Sequence, residues 1–438
     1  MGCFASTLSD GGGNRRRLKS IGELAIFVPG FRIPIAIDFT QPLGDSLPKS
    51  LVNRLSALRT RIVSMAMHEA ATATKLKQKK ITRNGTSTFS DLLQALEDYL
   101  PVLLGLTKDG RLKVKVKFAW INQEDDDEQT AIANVWYEVL SVLHLMAMLC
   151  LAEANYLLLP RKSNDGYQQQ VSEENRRRSI DVLLKAAGYL DCSIHQVLPQ
   201  IPLELRRNLP VDLSEEELNA LCMQALGQGV DIQLEMAIDS PKATLAVKRR
   251  LACEMVKYFN QAQDSILKIQ FSGGWGEKHR LFLKWKYAEA KAAAYYYHAM
   301  ILDEGNSEES HGMAVAALRA AEEFLKESKR ACEVFNVAPP TSRNPPPWGS
   351  MKYLSYKITK DASSKAHANQ VVYSQERILQ DAPALPDFAL ALNPEEYQLP
   401  PLDPIWNTVT STTEDLNRNK LTPTSPLPEM QFPATERK

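Results

Sequence analysis

The sequence predicts a mostly α-helical protein, an irregular helical solenoid with a small β-sheet near its N-terminal end. Apolar residues recur at three- and four-residue steps through nearly every long segment after residue 48. Stretches rich in β-branched and aromatic residues, punctuated by Pro29-Gly30 and Pro34, occur only in the first part of the chain. Two late segments carry small residues along facing stripes, which lets helices approach closely.

The chain begins Met1-Gly2-Cys3-Phe4-Ala5-Ser6, the pattern for myristoylation of Gly2, with the Cys3 thiol beside it for palmitate. One acyl chain holds a membrane weakly and two hold it stably, so Gly2 and Cys3 together predict an anchor. Arg15, Arg16, Arg17 and Lys19 follow, each worth about 1 kcal/mol against an anionic leaflet. Residues 1–20 are therefore expected to form a lipidated basic segment.

Residues 24–28 and 33–39 read as short strands. Residues 111–118 alternate strictly, with Lys113, Lys115 and Lys117 on one side and Val114, Val116 and Phe118 on the other, after an Asp109-Gly110 turn signal. A third strand is expected there, its lysine row either solvated or facing phospholipid.

The helices follow in order: 48–80, ending in a basic stretch; 89–105, with Ser90 or Thr88 as cap; and 129–158, apolar around most of its circumference and so buried on several sides. Segments 172–198 and 214–238 come next, the second opened by a Ser214/Glu217 capping box. Pro241 is expected in the first turn of a helix reaching about 270. In 277–303 the residues Trp285, Ala288, Ala292, Tyr295 and Ala299 share a face, as do Ala317, Ala321, Phe324, Ser328 and Ala331 in 312–336. This is the grammar of a tetratricopeptide-like helix hairpin, although no fixed period recurs. A polyproline stretch at 338–350 serves as a stiff connector or an SH3 or WW ligand. A last helix at 350–379 precedes a proline-punctuated extended segment from 383 to 406, and the polar tail 407–438 is expected to be disordered.

Lys+Arg and Asp+Glu are equal at 52 each, so no global field attracts nucleic acid. The six cysteines (Cys3, Cys150, Cys192, Cys222, Cys253, Cys332) lack CxxC spacing and follow no secretory signal, the pattern of reduced cytosolic thiols. Cys150, Cys222 and Cys253 fall at core positions. The longest uncharged apolar run, 139–152, is too short to span a bilayer, so the chain is expected to be anchored to a membrane and not threaded through it. The histidines show no HExxH or other metal-ligand spacing, Gly273-Gly274-Trp275-Gly276 lacks the Lys-Ser/Thr of a phosphate loop, and GxSxG is absent. His144 reads as a hydrogen-bonded core residue, and the acidic run 124–128 as a solvated loop or a cation site. No catalytic residue, metal, cofactor or small-molecule substrate is expected.

The local wording of the helices resembles a known family. Cys222-Met223-Gln224-Ala225-Leu226-Gly227-Gln228-Gly229-Val230-Asp231 is similar to the Ala-Gln-Ala-Gln-Glu helix of the Bro-one domain shared by Alix-like proteins, and residues 242–259 to the helix after it. Residues 284–297 and 315–321 resemble that family's helix pair, and Asn369-Gln370-Val371-Val372-Tyr373 with Leu385-Pro386 its closing segment. The order matches over roughly residues 20–400, with the signature altered to Gly227-Gln228-Gly229-Val230-Asp231. The resemblance implies a curved, banana-shaped domain over residues 21–406 that serves endosomal sorting. Its groove would bind the C-terminal helix of an ESCRT-III core subunit on the cytoplasmic face of an endosomal or plasma membrane. Carrying the family's patch across residue by residue gives Leu234, Val247, Leu251 and Val372, with Val247 and Leu251 one turn apart on one face. The alternatives are ordinary core packing for all four, a membrane-tethered scaffold for another helical or Pro-rich partner, and a hydrolase-like enzyme.

Overall fold

In a computed structural model, the structure describes residues 26–75, 85–122, 129–159, 171–271, 274–305, 308–341, 352–372 and 381–407. Its elements are β1 (Arg32–Pro34), α1 (Thr40–Leu43), α2 (Lys49–Lys75), α3 (Gly85–Leu104), β2 (Phe118–Asn122), β3 (Gln129–Ile132) and α4 (Val135–Leu157). They continue as α5 (Glu173–Cys192), α6 (Leu203–Arg206), α7 (Glu215–Asp239), α8 (Leu245–Ile266), α9 (Gly274–Asp303), α10 (Glu308–Val337) and α11 (Lys352–Val372). The long helices stack in series, each on its neighbour in sequence, except that α7 packs on α5 across the short α6. One core runs from Ile26 to Trp406.

The sheet is antiparallel in the order β1-β2-β3, with Pro34 opposite Trp120 on the edge strand, where a missing N–H is tolerated. Its strands are displaced from the expected ones. Residues 111–118 do not form a strand: Leu112–Val114 is a 3₁₀ turn, and β2 begins only at Phe118. Leu112 and Val116 are buried beneath the turn, while Val114 is exposed with Lys115 and Lys117 and Lys113 is half-buried, so the expected division into a lysine face and a valine face does not hold. No strand is found over 26–28, and of residues 33–39 only Ile33 and Pro34 lie in β1. Gln129–Ile132, expected to open the next helix, is β3, and α4 starts after it with the Asn134 side chain accepting from the Trp136 N–H.

Helix α4 is long and apolar enough to cross a membrane on length and composition, but nearly all of it is enclosed by the protein. Two helix starts also differ in detail. Helix α3 begins at Gly85, so Ser90 lies inside it. Pro241 sits in the connector, and α8 is capped by Thr244, whose Oγ1 accepts from the Val247 N–H at 3.3 Å. Ser214 caps α7 as expected. The other half of the box is not made, because the Glu217 carboxylate is buried 2.7 Å from His279 Nδ1. In the hairpin of α9 and α10 the small stripes face as expected: Tyr295 stacks on Phe324 with ring planes 8° apart, and Trp285 meets Phe335.

After α11 the chain returns as an extended strap. Phe388, Leu390 and Leu392 turn inward while Ala389, Ala391 and Asn393 stay exposed. It crosses α8 and α7, then α5, where the Glu395 N–H donates to Leu184 O at 3.0 Å, and ends at α3, where Trp406 Nε1 donates to Val102 O at 3.0 Å. Gly188 and Gly105 make room for it: a Cβ on either would collide with the Glu395 carbonyl oxygen or the Trp406 ring.

Candidate partner-binding face

Helices α7 and α8 position the residues of interest. The signature segment lies inside the protein. Gln228 and Asp231 are 2% and 8% exposed. Gln228 Oε1 accepts from Gln224 Nε2 at 3.1 Å, and Gln224 Nε2 also donates to Phe27 O at 2.9 Å. Gln224 Oε1 in turn faces His279 Nε2, so one polar chain ties α7 to α9 and to the segment before β1. Asp231 pairs with Lys286 at 2.7 Å, and Glu289 pairs with the same ammonium at 2.7 Å. Burial opposes the charge on Lys286, but the two carboxylates outweigh it and raise its pKa. The glycines serve packing: Gly227 lies against Tyr258 and Phe259 of α8, and Gly229 against Leu392 of the strap. The altered signature is thus a helix-packing device with its own buried ions.

The four residues of the carried-over patch are not equivalent. Val247 is 46% exposed near the start of α8, and Leu251, one turn on, is half-buried against the core. Together they make an apolar step edged by Lys248 and by Arg250, whose Nε donates to Glu254 Oε1 at 2.8 Å. Leu234 must be corrected. It is 2% exposed and belongs to the core, because its place on α7 faces inward between neighbouring helices. Val372 is the last residue of α11, and its side chain lies outside the described residues.

The strap runs beside this step, a neighbour that sequence reasoning did not assign to the site. Arg249 reaches the Phe388 ring, Lys257 bonds Asp387 and the Phe388 carbonyl, and the Ala391 N–H donates to Glu254 Oε2 at 3.0 Å. Its signal was present in the two-residue alternation of Phe388, Leu390 and Leu392. A separate cleft of about 440 Å³ between α9 and α10, lined by Leu281, Lys284, Glu323, Arg330 and Val334, contains none of the four residues.

Burial pushes the thiols of Cys150, Cys192 and Cys222 up to about 12 and those of Cys253 and Cys332 to about 11, so these sulfurs stay protonated at neutral pH. Among the described residues no group of three His, Cys, Asp or Glu side chains could hold a metal ion. His144 is buried as expected, but its Nδ1 has no hydrogen-bond partner among the described residues, and burial lowers its pKa to about 4. Gly2, Cys3, Arg15, Arg16, Arg17 and Lys19 lie outside the described residues, as do the acidic run 124–128, most of the polyproline stretch and the tail beyond 407.

The model of the BRO1-like domain family matches residues 36–398. Among solved structures, the chain is similar to the ALIX BRO1 domain in complex with CHMP4C, at 16% identity and a TM-score of 0.55, covering 87% of this chain and 96% of that one. It is also similar to a Bro1 domain described as the basis for endosomal targeting, at 15% identity and a TM-score of 0.53, covering 91% of this chain and 100% of that one. A third is ALIX in complex with the SIVmac239 PYKEVTEDL late domain, at 16% identity and a TM-score of 0.57, covering 90% of this chain and 53% of that longer one. No curated protein sequence matches the chain. At these identities the structural likeness carries the fold.

Proposed function

The chain belongs to the BRO1-like domain family, and from that membership we propose that it is a membrane-anchored adaptor of endosomal sorting which binds the C-terminal helix of an ESCRT-III core subunit. The observation that carries this reading is the apolar step of exposed Val247 and half-buried Leu251 on α8, in a chain whose fold is shared with an ALIX BRO1 domain bound to CHMP4C. A helical ligand with anchors at three- and four-residue spacing can seat an apolar residue on such a step while polar residues meet Lys248 and Arg250. Covering Val247 removes apolar surface that the fold leaves in water, and the gain scales with that area.

Acylation of Gly2 and Cys3 would confine the domain to the cytoplasmic face of an endosomal or plasma membrane, where the ESCRT-III filaments it is proposed to bind assemble. Confinement raises the effective concentration of the two partners, so a weak contact suffices. The experiment is titration of the full chain with peptides of ESCRT-III C-terminal helices. Binding that weakens at least tenfold in Val247→Asp supports the reading, and binding unchanged by that substitution removes the α8 step from it.

A further inference from the structure

We propose that the cleft between α9 and α10 is a self-association surface, on which a second copy of this chain docks antiparallel about a two-fold axis. Its wall on α10 carries Glu323, Glu327, Arg330 and Val334, spaced by four, three and four residues and so aligned on one face, with Val337 next in the series. Leu281 and Lys284 of α9 form the opposite wall. The four charged side chains are exposed, and none of them makes an ion pair among the described residues, although Glu327 and Arg330 are neighbours on one helix. On an adjoining face of α10, Glu322 and Lys326 do pair, at 3.4 Å. Val334 and Val337 are 49% and 77% exposed, apolar surface that the fold leaves in water.

The order of the charges selects the occupant. A uniformly acidic or basic partner would satisfy one half of the cleft and be repelled by the other. A second copy supplies both signs in the right sequence. An axis crossing α10 at right angles, midway between Glu327 and Arg330, lays each of these residues over its opposite in the second copy, and does so twice. The same operation brings the second copy's Glu323 to the level of Val334. Trp285 meets Phe335 and Tyr295 stacks on Phe324, a register that sets Lys284 close to that level as well. Glu323 of one copy is therefore in reach of Lys284 of the other, with its methylenes over Leu281 and Val334. A two-fold contact of this kind closes on itself, so the product is a dimer and not a filament. The stripe from Glu323 to Val337 is only about 21 Å long at 1.5 Å per residue, the scale of a weak, reversible pairing. The cleft contains neither Val247 nor Leu251, so this contact stands whether or not α8 binds a helix.

The test is sedimentation equilibrium of the full chain, expressed without acyl groups, over a wide range of protein concentration. Wild type should pass from monomer to dimer as concentration rises, and sooner in low salt. Glu323→Lys/Glu327→Lys makes the charges of the cleft wholly cationic, and Lys284→Glu/Arg330→Glu makes them wholly anionic. Each variant alone should pair about tenfold more weakly or worse, because attractions across the axis become repulsions. All four side chains are exposed, so both variants should melt as wild type. Mixed together they should restore a one-to-one heterodimer, which misfolded proteins could not do. A wild type that stays monomeric overturns the proposal, as does a dimer that either variant leaves unchanged or a mixture that fails to pair. If wild type is monomeric and both variants lose binding to an ESCRT-III helix peptide, the cleft is that partner's site and self-association is refuted.

Discussion

Asp231 Oδ2 stands 2.7 Å from Lys286 Nζ inside the protein, joining α7 to α9 at the last position of the family signature. Glu289 shares the ammonium from one helical turn away. Removing one member of such a set leaves the others charged and dry, which costs about 3–5 kcal/mol. Lys286→Met should therefore lower stability by that amount in urea unfolding. Replacing Asp231, Lys286 and Glu289 together by apolar residues of similar size should recover most of it. A Lys286→Met protein that unfolds at the wild-type midpoint would show that the pair carries no weight.

The strap makes a prediction about local order. Gly188→Ala improves helix propensity, yet its Cβ collides with the Glu395 carbonyl oxygen. Amide exchange across residues 388–399 should quicken while α5 keeps its protection. Trp406→Ala, which empties the site over Gly105, should cost about 3–5 kcal/mol in global unfolding. Unchanged exchange in the first variant would mean that the strap does not need this close approach.

Charge placed on α7 and α8 separates packing from recognition. Leu234→Asp buries an unpaired carboxylate at a 2% exposed position and should collapse the melt by several kcal/mol. Val247→Asp should melt as wild type, because its carboxylate stays in water. Leu251→Asp should fall between them, as its half-burial dictates. Circular-dichroism melts of the three variants read this ordering, and the reverse order for Leu234 and Val247 would mean the two helices are wrongly faced.

At the N-terminus, Gly2→Ala should release the protein into the soluble fraction, since myristoylation requires that glycine and Cys3 acylation follows membrane contact. Cys3→Ser should leave weak, reversible binding. Cell fractionation with acyl-label incorporation measures both, and a Gly2→Ala protein retained in the membrane pellet would refute the anchor.

His144 predicts an acid-sensitive core. Burial holds its folded pKa at about 4, below the unfolded value of 6.5, so the unfolded chain binds the proton first as pH falls. Its contribution is complete above pH 6.5 and is lost progressively as pH falls toward 4. Between pH 7 and pH 5 the loss should be on the order of 2 kcal/mol. Nearby Arg32 opposes protonation and Asp212 favours it. His144→Leu should unfold with a flatter pH dependence over that range, and an identical slope would assign the acid sensitivity elsewhere.

Much of the fold was legible because helices write their burial into three- and four-residue spacing. The stripe from Trp285 to Ala299 named its partner stripe on α10, and Ser214 marked the start of α7. The all-round apolar run of α4 announced that it would be enclosed. Local pattern failed where two conformations bury the same residues. The Lys-Val alternation at 113–117 suits a strand or a pinned 3₁₀ turn equally, and only the seating of Leu112 and Val116 on the core chose between them.

The candidate site divides along the same line. Val247 and Leu251 share a face of α8 by spacing alone, since four residues make one turn. Which way that face points depends on what packs behind it, and the same uncertainty hid Leu234, an apolar residue on a helix enclosed by neighbours distant in sequence. The signature segment shows the limit most plainly. Its glycines, Gln228 and Asp231 could be read as a motif, but their work needs Lys286, His279, Phe259 and Leu392, supplied from up to 163 positions along the chain by tertiary packing that no local spacing encodes.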